Sequence, residues 1–204
     1  MNRLVWIMLV SFGIAGSPAY AGKHAASTGK PAAPKSTAFD RTLKLQGVAF
    51  RVTSANRGSV NVLRIIPSGR VARNAPVKRE IFGTVTSAEI ADLDADGWPE
   101  IYIYVTSAGS GSYGTVVAYA VNRGNSLSEI TLSELMDDPV ASQGYQGHDQ
   151  FCIVENTLAR RFPVFKEGDN NATPSGGMRQ LHYRLTPGEA GWLLRLDPTK
   201  TRTY

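Results

Sequence analysis

Two polar clusters carry the residue types and spacing that chemistry would need. In the first, Asp92-Leu93-Asp94-Ala95-Asp96-Gly97-Trp98-Pro99-Glu100, oxygen donors alternate along the chain with a glycine for a sharp turn. A hard cation such as Ca²⁺ requires that pattern. A helix–loop–helix calcium site would add a bidentate glutamate at its twelfth position, which here is Ile103. Strand-flanked loops of this kind can hold calcium with fewer ligands. The same residues also make an acidic turn whose Asp side chains bond their own backbone. The turn is the expectation adopted, with no metal and no cofactor.

The second cluster, Gly109-Ser110-Gly111-Ser112-Tyr113-Gly114, matches G-x-G-x-x-G. A dinucleotide site would need a helix starting inside the motif. Thr115-Val116-Val117-Ala118-Tyr119 follows instead, which is strand by propensity and alternation, so the cofactor reading fails. What remains is a hydroxyl-bearing loop, Thr106 to Gly114, longer than the roughly two to five residues of a plain hairpin. It is expected to project as a recognition loop, with Ser110, Ser112 and Tyr113 offering hydroxyls at little cost in rotamer entropy.

Nucleophilic catalysis is poorly served. His148 and His182 are the histidines of the domain, and no serine sits in a G-x-S-x-G elbow. His148-Asp149 follows the glycine-rich Gly144-Tyr145-Gln146-Gly147, while His182 alternates within a strand and reads as structural. His or Cys spacing for a transition metal is missing. Cys152, the one cysteine, lies in Phe151-Cys152-Ile153-Val154 and is expected to be a buried, inert thiol. The chain is therefore not expected to be an enzyme.

The elements that must position these loops are short β-branched and aromatic runs between turn signals. Strands are expected over Leu43 to Ser54, Val60 to Ile66, Ile81 to Ile90, Ile101 to Val105, Thr115 to Val121 and Leu127 to Leu135. Phe151 to Val154 should pair with Arg161 to Phe165, and Met178 to Leu185 with Trp192 to Leu196. About ten strands without sustained helical period imply an all-β fold, an antiparallel β-sandwich or open barrel in one domain, residues 39–204.

Residues 1–21 read as a cleaved secretion signal. Arg3 precedes an apolar run of roughly a dozen residues, short of the ~20 that span a bilayer, and Ala19-Tyr20-Ala21 offers small residues for cleavage. With no cysteine just after that site, a lipid anchor is not expected. Residues 22–38, rich in Ala, Ser, Gly, Pro and Lys and including His24, read as a flexible linker. Residues 1–38 hold four basic residues and no acid, so of the net charge of +5 the domain keeps 18 Lys and Arg against 17 Asp and Glu. That removes most of the motive for an electrostatic footprint on nucleic acid or anionic lipid.

The secretion signal, the segment ADLDADGWPEIYIYVTSAGSGSYGT, and GYQGHD, RRFPVFKEGD and GGMRQLHYRLTPGEAGW together resemble the periplasmic inhibitors of invertebrate-type (I-type) lysozyme, the PliI family. The similarity runs over most of residues 40–197, and Ser110-Gly111-Ser112-Tyr113 matches the family's S-G-x-Y loop at every position. The resemblance implies a periplasmic β-sandwich, often a homodimer, that blocks an I-type lysozyme and so protects peptidoglycan. It assigns Ser110 and Tyr113 as hydroxyls bonding the catalytic carboxylates, Gly111 as the point of close backbone approach, and Ser112 as shaping the turn. A different class of function, a secreted Ca²⁺-assisted adhesion or carbohydrate-binding sandwich, would instead use the acidic loop.

Overall fold

The computed structural model describes residues 38–72, 75–189 and 191–204. The expected signal peptide and nearly all of the expected linker lie outside the described residues. Strands dominate. The first sheet is Phe39–Leu45 (β1), Val48–Ser54 (β2), Val60–Gly69 (β3) and Val77–Phe82 (β4), paired in chain order. The second takes Thr84–Ala91 (β5), Glu100–Thr106 (β6), Gly114–Asn122 (β7), Ser126–Leu132 (β8), Gln150–Val154 (β9), Thr157–Pro163 (β10), Met178–Pro187 (β11) and Trp192–Leu196 (β12) in the order β5-β6-β7-β8-β12-β11-β10-β9. Arg202–Thr203 (β13) adds to β11.

Four expected segments change. Leu43 to Ser54 is a hairpin, not one strand, because Gln46 and Gly47 take φ of +50° and +81°. Two consecutive left-handed residues are what a type I′ turn uses to reverse a strand. Ile81 to Ile90 breaks at Gly83, where φ is +139° and a Cβ would lie 2.2 Å from the Thr106 carbonyl oxygen. Only glycine lets the chain pass there from the first sheet to the second. The strand expected at Arg161 begins earlier, at Thr157, since Glu155 at φ +54° turns the chain within two residues. Leu127 to Leu135 ends at Leu132 and is followed by a single 3-10 turn, Leu135–Asp137.

Pairing is antiparallel except that β12 lies parallel to β8, with Trp192 opposite Ile130. The chain through β9 to β11 supplies the crossover that a parallel pair needs. The outer strands of the second sheet curl towards each other. Glu89 of β5 accepts the backbone N–H of Ile153 in β9 at 2.9 Å and also the hydroxyl of Tyr104. One carboxylate thus bridges the seam, and the sheet is barrel-like.

Strand β6, the leading arm of the projecting loop, is buried on both faces. Ile101, Ile103 and Val105 pack with Phe50, Leu63 and Ile65 between the two sheets. Tyr102 and Tyr104 point the other way, into the barrel with Leu158, Phe162 and Leu181. Each such side chain contributes about 1.5–3 kcal/mol of burial, so the β6–β7 hairpin is rooted in both cores.

Candidate functional site

The loop between β6 and β7 is an ordered turn on a rigid base. Beyond the Thr106–Gly114 pair, Ser107 N–H donates to the Tyr113 carbonyl at 2.8 Å. At the tip, Ser112 N–H donates to the Gly109 carbonyl at 3.1 Å, and Ser112 itself takes φ +44°. The Tyr113 ring folds back over Gly111, whose hypothetical Cβ would sit 2.4 Å from Tyr113 Cε2. Position 111 must therefore be glycine for the ring to hold its place. Ser110 is exposed and Tyr113 is 49% exposed. Tyr113 lines a cleft of about 360 Å³ together with Glu129, Thr131, Glu134 and Met136.

Two remote segments brace this tip. His148 N–H donates to the Gly111 carbonyl at 2.7 Å, and Asn171 Nδ2 donates to the Ser110 carbonyl at 2.8 Å. Because the Asn171 amide nitrogen is donating, its Oδ1 accepts from His148 Nε2, 2.9 Å away. Both the backbone and the ring of His148 thus support the loop. Gly147 closes the approach: its φ is +94°, and a Cβ there would lie 2.1 Å from the Gly111 oxygen. The sequence places Gly147 and His148 in a glycine-rich loop, but nothing in it points to Asn171, which acts on a backbone carbonyl 61 positions away.

The acidic cluster is brought together, with oxygens of Asp92, Asp94, Asp96 and Glu100 within 4.8 Å of one another. Its carboxylates are engaged by the turn. Asp92 accepts from the backbone of Asp96 and Gly97 and from Gln46 Nε2, Asp94 from the backbone of Asp96, and Asp96 from that of Trp98. This is the self-bonded turn expected from the sequence. Glu100, 2% exposed, receives Leu93 N–H at 2.8 Å, and burial pushes its carboxyl up to about 8. A group raised in the fold above its ordinary value of 4.5 costs nothing below that pH, and destabilises increasingly as pH climbs towards 8. Glu100→Gln, which mimics the protonated acid, should raise the melting temperature at pH 8 and leave it unchanged at pH 4. A gap independent of pH would contradict the assignment.

His182 is buried between Thr157 Oγ1 and Gln180 Nε2, at 2.8 and 2.6 Å, and burial pushes its pKa down, as a structural histidine requires. Cys152 departs from the expected full burial. It is only half-buried, because β9 is the outermost strand of its sheet, although burial still pushes its thiol pKa up.

The result is a braced, hydroxyl-bearing hairpin on a β scaffold. Residues 53–143 match the model of the PliI family, described as the periplasmic lysozyme inhibitor of I-type lysozyme, so the resemblance read from the sequence is borne out. The matched segment runs from β2 past the 3-10 turn and contains the whole Ser110–Tyr113 loop. No curated protein and no solved structure matches the chain. Among the described residues, no helix is long and apolar enough to cross a membrane.

Proposed function

We propose that this protein inhibits an I-type lysozyme by inserting Ser110-Gly111-Ser112-Tyr113 into the active-site cleft, so protecting peptidoglycan. The observation that carries this reading is the braced hairpin tip inside the segment that matches the inhibitor family. A glycosidase cleft holds two carboxyl groups, one kept protonated as the acid and the other ionised. Ser and Tyr hydroxyls both donate and accept, so Ser110 and Tyr113 can satisfy either form. Gly111 keeps the tip slim, and Ser112 spends its unusual backbone on the turn.

The tip's carbonyls are already bonded within the protein, so little ordering entropy is left to lose on binding. With the domain's charges nearly balanced, shape and hydrogen bonds outweigh long-range steering. Export by residues 1–21, a linker at 22–38, the paired form implied by the resemblance and the absence of catalysis belong to the same reading. A direct test is calorimetric binding to an I-type lysozyme with and without a chitooligosaccharide that fills the cleft. The saccharide should weaken binding in proportion to its occupancy; binding indifferent to it would place the contact elsewhere.

A second reading rests on the four gathered carboxylates, which a calcium-assisted adhesion or carbohydrate-binding sandwich would use. Since those oxygens already serve backbone amides and Glu100 holds its proton at neutral pH, millimolar Ca²⁺ should leave the melting temperature unchanged. A calcium-dependent rise that Asp94→Ala abolishes would favour this alternative.

A further inference from the structure

Behind the loop lies a buried ion pair that the reading above does not use. The Asp149 side chain is wholly buried and that of Arg160 nearly so, with Arg160 Nε donating to Asp149 Oδ1 at 2.7 Å. The other carboxylate oxygen accepts Gly114 N–H and the Tyr145 hydroxyl, each at 2.7 Å. Arg160 Nη2 closes the ring on the Tyr145 oxygen at 2.8 Å. The guanidinium lies over the Tyr145 and Phe151 rings, 5.0 and 5.4 Å from their centroids.

A buried pair of this kind adds little net stability over apolar side chains of the same volume, so stability alone does not explain it. Its geometry does something more specific. Gly114 is the first residue of β7 and the last of the loop, and a Cβ there would lie 2.6 Å from Asp149 Cβ and 2.8 Å from Phe151 Cε2. The carboxylate reaches that amide only because position 114 has no side chain. Tyr145 in turn meets the Tyr113 ring edge-on, with centroids 5.8 Å apart, and meets Phe162 of the barrel at 4.8 Å. Asp149 therefore ties together the end of the loop, the ring under Tyr113 and the barrel wall at β10.

We propose that Asp149, held by Arg160 and Tyr145, is the positioning residue that keeps Ser110–Tyr113 in its presenting conformation. The assignment rests on the inhibitor reading and predicts a kinetic signature. Asp149→Ala with Arg160→Met removes both charges together, leaving none buried alone, and deprives Gly114 of its acceptor. The loop then presents itself only part of the time, and binding is reduced by the competent fraction. The association rate constant for an I-type lysozyme should fall about 30-fold, the scale of one lost charge-assisted hydrogen bond. Dissociation should be unchanged, because the contact residues Ser110 and Tyr113 remain. Asp149→Asn with Arg160→Met restores an acceptor and should recover most of the association rate.

An unaltered association rate in the alanine pair, or an asparagine pair no faster than the alanine pair, overturns the assignment. If the alanine pair does not fold, Tyr145→Phe removes only the hydroxyl and should still slow association about fivefold; a wild-type rate overturns the proposal. Should the wild-type protein bind no I-type lysozyme, the inhibitor reading fails, and amide exchange still tests Asp149. Residues 109–114 should then exchange faster in the alanine pair while the interior of β6 does not, and unchanged exchange overturns the positioning role.

Discussion

Replacing Ser110 and Tyr113 together by alanine should raise the inhibition constant for an I-type lysozyme about 100-fold or more and leave the fold intact. Anchors in a desolvated cleft contribute about 2–4 kcal/mol each, incompletely additive, and about 3 kcal/mol already corresponds to two orders of magnitude. The fold should survive because Ser110 is exposed and offers only its backbone carbonyl to Asn171, which alanine retains. Tyr113 is half exposed and contributes one edge-on contact to Tyr145, worth about 0.5–1.5 kcal/mol. For a domain of this size that is a few degrees of melting temperature. An inhibition constant unchanged by the double substitution would remove this loop from the mechanism.

Gly147→Ala should disable the same loop without altering any residue proposed to touch lysozyme. Alanine at φ +94° is strained by about 1–2 kcal/mol, and its Cβ would meet the Gly111 oxygen at 2.1 Å. Neither backbone can yield without breaking the bond from His148 N–H to Gly111. The tip must shift, and a displaced rigid anchor loses about tenfold or more in affinity. Residue 147 is a member of neither core, so melting should fall only by several degrees. Full inhibition by Gly147→Ala would show that loop placement does not depend on this contact.

What was legible in the sequence follows the reach of local pattern. Thr106 to Gly114 declared itself as a long loop because two strong strands flank a run that is too rich in glycine to be either. The Met178–Pro187 and Trp192–Leu196 hairpin is where alternation and Pro187-Gly188 placed it. The turns at Gln46-Gly47 and Glu155 were hidden because left-handed backbone there falls on residues other than the usual Asn-Gly pair. The parallel β8–β12 pair, and the Glu89 bridge that makes the second sheet barrel-like, join segments far apart in the chain. The site divides in the same way. The presenting residues form one contiguous motif. The groups that hold it, Asn171, His148 and Asp149, act on backbone atoms, and a carbonyl or an amide leaves no mark on the sequence.

The central claim is tested most directly by titrating the protein into a cell-wall lysis assay run with I-type, chicken-type and goose-type lysozymes. Stoichiometric loss of I-type activity, with the other two enzymes unaffected, is the predicted result. Undiminished lysis by the I-type enzyme at a molar excess of the protein would contradict it.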